Sequence, residues 1–154
     1  LVGGTPCFIN QTDWSCGVDV RDFNDFADKL FKDYKSTMIN FYTLQLMHSK
    51  DSKFLIKKLK EVNEKSDPPK IKSLQLGLDI LLNNDLRDDI NKINHKTLLI
   101  VGDMDRLTPK SASIWLEGHL KDARLKVIQG ASHIPFLSHS HEFFDHLDQF
   151  LLAA

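Results

Sequence analysis

The chain has 154 residues, of which 42% are hydrophobic and 27% charged, and its formal net charge at pH 7 is −1. This balance is typical of a globular domain and excludes a protein whose function depends on a large overall charge, such as a general nucleic-acid binder. The longest apolar runs are far shorter than the ~20 residues that span a bilayer. Two cysteines are too few for a disulfide framework, so a cytoplasmic location is the default expectation.

Residues 1–17 are interpreted as the end of a core strand and the connection to a helical region. Apolar residues within 1–8 are followed by Gly, Thr and Pro, which favour a turn after a strand. The sequence begins without Met in what resembles the end of a strand. It is therefore predicted to be a fragment that starts inside a domain.

Residues 18–90 are predicted to form an all-helical lid. In the first part, apolar and aromatic residues recur at steps of three and four, which is the period of an amphipathic helix: Phe23, Phe26, Leu30, Tyr34, Met38, Phe41 and Gln45. A second helix is predicted over residues 51–63, with Phe54, Leu55, Leu59 and Val62 buried. Asp67 is predicted to cap a third helix that begins at Pro68 and carries Ile71, Leu74, Leu78 and Leu81 or Leu82.

Residues 91–154 are predicted to form the C-terminal part of an α/β core with a parallel sheet. Residues 97–101 are a continuous apolar run, as expected for a strand covered on both faces. Pro109 is expected to open a helix, a second strand is expected over residues 125–128, and a closing helix over residues 142–152. Strands that alternate with helices at this spacing predict parallel pairing with crossover connections.

Two polar loops follow the two predicted strands directly. The acid loop, residues 102–109, contains Asp103 and Asp105, and the histidine loop, residues 129–136, contains His133. Because the carboxyl ends of parallel strands meet at one edge of the sheet, a carboxylate and an imidazole on these loops are expected to be neighbours. Such a carboxylate can fix the tautomer of the imidazole while the other ring nitrogen takes a proton from a nucleophile.

The two loops resemble those of the α/β-hydrolases. The segment G-D-M-D-R-L-T-P resembles the acid loop of that superfamily, in which the catalytic Asp follows a glycine by three residues, and this implies that Asp105 rather than Asp103 is the acid. The segment G-A-S-H-I-P-F-L resembles the histidine loop and implies that His133 is the base. The order of acid before histidine agrees with the superfamily order of Ser, acid, His.

A narrower resemblance extends over nearly the whole chain. It rests on T-P-C-F at residues 5–8, Trp14, F-Y-T-L-Q at residues 41–45, G-L-D-I-L at residues 77–81 and D-L-R at residues 85–87. Together these segments resemble the pimeloyl-[acyl-carrier-protein] methyl ester esterase family of biotin biosynthesis. The resemblance implies a carboxylesterase that hydrolyses the methyl ester of pimeloyl-[acyl-carrier protein] without a metal or an organic cofactor. It also implies that Phe41, Trp14 and Thr5 contribute to substrate binding.

The nucleophile is the main departure from the superfamily pattern. No G-x-S-x-G segment occurs in the sequence, and the nearest approach, residues 130–134, lacks the final glycine and belongs to the histidine loop. In the family, the nucleophilic serine and the oxyanion-hole amides precede the strand that ends near Thr5. The missing N-terminal half is therefore expected to supply them, and the fragment alone is expected to be inactive.

Other interpretations of the same residues remain open. The frame also suits a short-chain or lipase-like esterase, a carbon–carbon bond hydrolase, or a non-catalytic module that docks an acyl carrier protein. A basic stretch of the lid could provide that docking surface: Lys53, Lys57 and Lys60 fall at helical spacing, although a solvated helix face explains them equally well. Cys7 is more easily explained as a packing residue than as a nucleophile, and the cluster His139, His141 and His146 as surface histidines than as a zinc site.

Overall fold

The structure is a computed structural model that describes residues 1–47, 49 and 51–153. The helical region consists of four helices: α1 Val20–Lys32, α2 Tyr34–Gln45, α3 Ser52–Lys65 and α4 Ile71–Asn83. It is followed by a 3₁₀ helix, Arg87–Lys92, and then by strands and helices in this order: β1 Thr97–Gly102, α5 Lys110–His119, β2 Ala123–Ile128, α6 Pro135–Ser138 and α7 Ser140–Leu152. The predicted fold class, a parallel sheet joined to an all-helical part, is confirmed.

The sheet is parallel, and its register aligns the ends of the two strands. β1 pairs with β2 from Thr97 opposite Ala123 to Gly102 opposite Ile128. On the other side of β1, residues 1–3 run parallel to it. There the Ile100 amide donates to the Leu1 carbonyl, and the Gly3 amide donates to the Ile100 carbonyl, both at 2.9 Å. Both loops that follow β1 and β2 therefore leave the sheet at one edge.

Helices cover both faces of β1, as its continuous apolar sequence predicts. On one face, Leu98, Ile100 and Ile128 pack against Phe143 of α7. On the other face, Leu99 packs against Leu116 and Leu120, in and directly after α5, and against Ile90 of the 3₁₀ helix. Alternate residues of a strand point to opposite faces, so a strand between two helical layers needs an apolar residue at every position.

The first predicted helical stripe is divided into two helices at Asp33. The amide of Asp33 donates to the Lys29 carbonyl at 2.8 Å and closes α1, while its carboxylate accepts from the Ser36 amide at 3.1 Å and begins α2. A short acidic side chain at this position satisfies an amide that the first turn of a helix leaves without a partner. The three- and four-residue spacing of the apolar residues continues across Asp33, so this spacing alone cannot predict the break between α1 and α2.

The predicted burial within α3 is partly wrong. Phe54 and Val62 are 58% and 62% exposed, and Leu55 and Leu59 are only half-buried. The buried residue is instead Asn63, whose side-chain amide donates to the Lys35 carbonyl at 3.2 Å. The reason is that α3 packs mainly against α2, and one neighbouring helix covers only a narrow stripe of its surface.

The predicted start of α4 is also wrong. The helix begins at Ile71 with Lys70 at its N-cap, so Asp67 does not cap it and Pro68 precedes it in an irregular segment. No residue of α4 is fully buried, and Ile71 is 66% exposed. Among the predicted core positions, Leu74, Leu78 and Leu82 are half-buried while Leu81 is exposed. None of the helices within the described ranges is long and apolar enough to cross a membrane.

We expect Gly102→Ala to destabilise the protein strongly. A Cβ atom at this position would lie 2.1 Å from the Ala131 carbonyl oxygen and 2.3 Å from that of Ser132, so the two loops would have to separate. Overpacking of this kind should cost about 3 kcal/mol in the free energy of unfolding, measured by urea denaturation. Gly77→Ala is the matched control, because no atom lies within 4 Å of the added methyl group. It should raise stability by roughly 0.5–1 kcal/mol, since alanine favours a helix. Equal effects of the two substitutions would contradict the contact.

Candidate active site

Hydrogen bonds join the acid loop to the histidine loop directly after the sheet. The Asp103 amide donates to the Ile128 carbonyl at 3.1 Å, and the Met104 amide donates to the Ala131 carbonyl at 3.0 Å. The Asp103 carboxylate accepts from the Gly130 amide at 2.6 Å. Asp103 therefore holds the two loops together and is not available to the imidazole.

Asp105 lies against His133, as predicted for neighbouring strand ends. Its Oδ2 atom is 2.9 Å from Nδ1 of His133, and the residue is only 6% exposed. The other oxygen, Oδ1, accepts from the amides of Leu107 and Thr108 at 2.9 and 3.0 Å. These two amides fix the orientation of the carboxylate before the imidazole contacts it.

Competing effects set the charge of the Asp105 carboxyl. Burial alone would raise its pKa, because it disfavours the charged form. The hydrogen bond from His133, the charge of that ring and the hydrogen bonds from Thr108 together outweigh burial, so the pKa of Asp105 lies below its usual value. The carboxyl is therefore an anion at neutral pH and accepts hydrogen bonds with both oxygens.

The imidazole of His133 has one restrained nitrogen and one free nitrogen. Nδ1 faces Asp105, and the side chain is 25% exposed. Within the part of the chain that the structure describes, Nε2 forms no hydrogen bond. A carboxylate at Nδ1 favours the tautomer that carries its proton there, which leaves the lone pair of Nε2 available. The ring can thus take up a proton at Nε2 while Asp105 stabilises the resulting cation.

Gly3 and Thr108 pack against the imidazole of His133. Gly3 has a positive φ of 50°, and a Cβ atom there would lie 3.1 Å from both Nδ1 and Cε1 of His133. The Thr108 hydroxyl lies 2.9 Å from both Asp105 Oδ2 and the Gly3 carbonyl, and its single proton can serve only one of them at a time. Sequence reasoning missed both residues. The available signals were a glycine after the first apolar residues and a threonine three residues after the acid.

The histidine loop is also bonded to the helical region. The hydroxyl of Ser132, a buried residue next to His133, donates to the Met47 carbonyl at 2.5 Å. Met47 follows the end of α2. The helical region therefore contacts the candidate site through the residue that precedes the imidazole.

An apolar cavity of about 450 Å³ lies between the helical region and the acid loop. Its size falls in the range of about 300–1,000 Å³ that is usual for small-molecule sites. Phe41 lines it, with its ring 5.2 Å from that of Phe26. Two of the lining residues, Arg106 and Leu107, directly follow Asp105. The other lining residues are Phe8, Val18, Asp22, Phe23, Leu44 and Leu81.

The structure brings Phe41 to this cavity, but it places Trp14 and Thr5 elsewhere. Trp14 is buried, its ring nitrogen donates to the Cys7 carbonyl at 3.0 Å, and its ring meets that of Trp115 edge-on. The Thr5 hydroxyl donates to the same Cys7 carbonyl at 2.8 Å. Both side chains hold the connection between strand and helical region in place, and neither lines the cavity.

The three lysines of the predicted docking surface are exposed on α3. Lys53, Lys57 and Lys60 all point into solvent, and Lys60 lies 3.9 Å from Glu64. Lys50, which belongs to the same basic stretch of the sequence, is outside the described residues.

The two alternative sites have ordinary local contacts. Cys7 is buried, and burial together with the charge of Asp85 raises the pKa of its thiol, which disfavours the reactive thiolate. In α7, His141 pairs with Asp145 at 3.0 Å and His146 with Glu142 at 3.8 Å, while His139 lies 2.9 Å from the Ser138 hydroxyl. Among the described residues, no three His, Cys, Asp or Glu side chains are grouped as metal ligands.

Solved structures with the same arrangement of elements include an esterase from Exiguobacterium antarcticum, with a TM-score of 0.83 and 19% identity over 97% of this chain and 55% of that one. A bromoperoxidase from Bacillus anthracis matches with a TM-score of 0.80 and 21% identity over 95% of this chain and 54% of that one. The chain therefore shares the α/β-hydrolase fold of these structures. Its helical region followed by a small parallel sheet fits the C-terminal portion of that fold, as predicted.

Curated relatives share more of the sequence. The chain is 36% identical over 148 residues to the pimeloyl-[acyl-carrier protein] methyl ester esterase of Nitrosomonas europaea, which covers 96% of this chain and 59% of the relative. The protein of the same name from Nitrosospira multiformis is 31% identical, over 97% of this chain and 57% of the relative. The chain thus spans less than two thirds of the length of these relatives. No family model matches it.

We expect Gly3→Ala to displace the imidazole of His133. The added methyl group would lie 3.1 Å from the ring of His133, and the positive φ of Gly3 is unfavourable for alanine. The Nδ1 proton resonance of His133, observed by NMR, should therefore shift or broaden. Gly4→Ala is the matched control, because the nearest contact of its methyl group is the Leu1 Cβ atom at 3.7 Å. A resonance that is unchanged in the Gly3 variant would contradict the packing of this strand beneath the ring.

Proposed function

We propose that the chain is part of a serine carboxylesterase in which His133 is the general base and Asp105 orients it. One observation supports this assignment above all others: Asp105 Oδ2 lies 2.9 Å from Nδ1 of His133, while Nε2 is free of other hydrogen bonds among the described residues. The carboxylate is fixed by two backbone amides, so the pair is preorganised for proton transfer at Nε2.

The proposed reaction is ester hydrolysis in two steps. His133 Nε2 removes the proton of a serine hydroxyl as that oxygen attacks the ester carbonyl, and Asp105 stabilises the imidazolium. The imidazolium then returns the proton to the leaving alcohol, which is methanol for a methyl ester, and an acyl-enzyme remains. His133 next activates a water molecule that attacks the acyl-enzyme and releases a carboxylic acid. In sum, ester and water give acid and alcohol, and the protein is restored.

The serine in this proposal comes from the part of the protein outside these 154 residues. The sequence has no G-x-S-x-G segment, and the chain spans only 59% of the Nitrosomonas relative. Backbone amides of the same outside part would stabilise the oxyanion. The fragment by itself would therefore be inactive, and tests of activity require the full-length protein.

The proposed substrate is the methyl ester of pimeloyl-[acyl-carrier protein], of biotin biosynthesis. The name of the curated relatives supports this choice, and so does the apolar cavity of about 450 Å³ beside the acid loop. Phe41 and Phe26 would contact the hydrocarbon part of the acyl chain. The chemistry assigned to His133 and Asp105 requires neither a metal nor an organic cofactor.

A different hydrolase activity on the same frame is the alternative. Solved structures with this fold include both an enol-lactonase from Burkholderia xenovorans and a meta-cleavage product hydrolase. The fold therefore does not select the substrate. We favour the methyl ester because the relatives that bear that name match 96% and 97% of this chain, at 36% and 31% identity.

In the full-length protein, His133→Ala should lower kcat for methyl ester hydrolysis by at least about 1,000-fold, because it removes the proposed general base. Asp105→Asn should also lower kcat, since a neutral amide cannot stabilise the imidazolium. His141→Ala is the matched control: this residue is also paired with an aspartate, but its side chain is 93% exposed on α7, and its loss should leave kcat within about twofold. Hydrolysis by the His133 variant at the rate of the parent would refute the proposed mechanism.

The exposed lysines of α3 are the proposed docking surface for the carrier protein. Acyl carrier proteins are strongly acidic, and complementary charge speeds the encounter of two proteins. The three lysines lie on the exposed part of a helix that carries two glutamates, so the local charge is positive. A non-catalytic role limited to this docking is the less favoured alternative, because it leaves the ordered Asp105–His133 pair without a purpose.

Replacement of Lys53, Lys57 and Lys60 by Glu should lower kcat/KM for a carrier-protein-bound methyl ester about tenfold or more, and the effect should diminish at high salt. Hydrolysis of a free methyl ester should stay unchanged, because the substitutions do not touch the cavity. The matched control places Glu at Lys92, Lys110 and Lys121, which are exposed outside the helical region. An equal loss in both triple variants would show that overall charge, rather than this surface, is responsible.

A further inference from the structure

The helical region is attached to the sheet through two chain segments that lie side by side. Cys7, before the region, forms an antiparallel bridge with Asp85, after it. The Leu86 amide donates to the Pro6 carbonyl at 2.8 Å. We call these two segments, residues 6–7 and 85–86, the neck. Any rotation of the helical region relative to the sheet must therefore move these two segments.

Arg87 binds carboxylates on both sides of the neck. Its Nη1 and Nη2 atoms lie 3.0 and 3.1 Å from the two carboxylate oxygens of Asp13, on the entering side. Its Nη2 and Nε atoms lie 2.7 and 3.0 Å from the carboxylate of Asp85, on the leaving side. The planar guanidinium can hold two carboxylates in fixed directions, which the single charge of a lysine cannot do.

This ion-pair cluster is more constrained than a typical surface pair. The side chain of Arg87 is only 18% exposed, and its guanidinium lies 5.4 Å from the centre of the Trp14 ring. The pKa of Asp13 and that of Asp85 are both lowered, chiefly by hydrogen bonds from Arg87, and the pKa of Arg87 is raised in turn. All three groups therefore keep their charges over the neutral range.

The cluster is connected to the helix that follows the acid loop. Trp14 packs edge-on against Trp115 of α5, with ring centres 5.5 Å apart, and also packs with Ala112 of the same helix. α5 begins directly after the acid loop, and Pro109 is its N-cap. The contacts of Arg87 thus extend from both ends of the helical region, through Trp14, to the helix that follows the acid loop.

We propose that Arg87 is a positioning residue that holds the helical region in one orientation over the Asp105–His133 pair. The inference rests on the proposed esterase function, because it concerns how the cavity beside that pair is kept in shape. Arg87 does not line that cavity, and none of its described hydrogen bonds reaches Asp105 or His133. Its effect on hydrolysis is therefore indirect and depends on how far the acyl chain reaches into the cavity.

The test compares two esters in the full-length protein and in its Arg87→Met and Arg87→Lys variants. For p-nitrophenyl octanoate, whose chain can fill the cavity, Arg87→Met should raise KM and lower kcat/KM about tenfold. For p-nitrophenyl acetate, whose chain is too short to fill it, both parameters should stay within about twofold. Arg87→Lys should give an intermediate loss for octanoate, because it keeps the charge but not the fork. Equal losses for the two esters, or no loss for either, would overturn the proposal.

Two further variants and a second measurement separate the possible failures. Arg21→Met is the matched control, because Arg21 also pairs with an aspartate, Asp19 at 3.3 Å, but its side chain is 88% exposed and its partner is not part of the neck. It should leave both esters unaffected. Asp13→Asn removes the charge of one exposed partner but leaves the Arg87 side chain in place. It should therefore show a smaller loss of kcat/KM for octanoate alone, even if Arg87→Met folds poorly.

Hydrogen exchange followed by mass spectrometry tests the same inference without catalysis. In Arg87→Met, amides of the neck and of α1–α4 should exchange faster, while those of β1, β2 and α7 should keep the rate of the parent. Unchanged exchange in the neck would overturn the proposal. If the parent hydrolyses neither ester, the proposed function fails, and the exchange rates alone decide the role of Arg87.

Discussion

The contact between the two loops that follow β1 and β2 is the constraint on which the rest of the site depends. Parallel pairing of β1 with β2 places Gly102 opposite Ile128. Hydrogen bonds from the loop amides, including one to the Asp103 carboxylate, then join the two loops. Only with the loops in this position can a carboxylate three residues after Gly102 meet an imidazole five residues after Ile128. Gly102 is part of the same constraint, because its lack of a side chain lets the backbone of the histidine loop approach.

The sequence was sufficient to predict the features that depend on local patterns. A continuous apolar run defined β1, and the loops that follow the two strands gave the positions of Asp105 and His133. The choice of Asp105 over Asp103 came from a resemblance, and the geometry supplies its reason: the side chain of Asp103 accepts the Gly130 amide in the other loop. The assignment of catalytic roles to Asp105 and His133 remains a prediction until it is tested by substitution.

Features that depend on distant contacts could not be predicted in the same way. Phe54 and Val62 fit a helical stripe, but whether a stripe is buried depends on how many helices surround it. Trp14 fits a substrate site by resemblance, yet its ring nitrogen bonds to Cys7, and its ring packs on Trp115, about a hundred residues further along the sequence. Gly3 approaches His133 for a similar reason, since pairing of residues 1–3 with β1 cannot be read from either segment alone.

The helical region and the sheet differ in how they are stabilised. β1 is covered on both faces by apolar side chains, whereas α4 has no fully buried residue and α3 leaves large apolar side chains in solvent. Local opening is favoured where few apolar contacts are lost. The helical region is therefore the part of the molecule expected to move most easily, and the sheet edge that carries Asp105 and His133 the least.

The bond between Ser132 and the Met47 carbonyl means that this motion is not independent of the imidazole. Ser132 is adjacent to His133 in the backbone, so a shift at the end of α2 pulls on the peptide that carries the ring. The helical region and the loop that carries the imidazole are thus joined directly by a side-chain hydrogen bond.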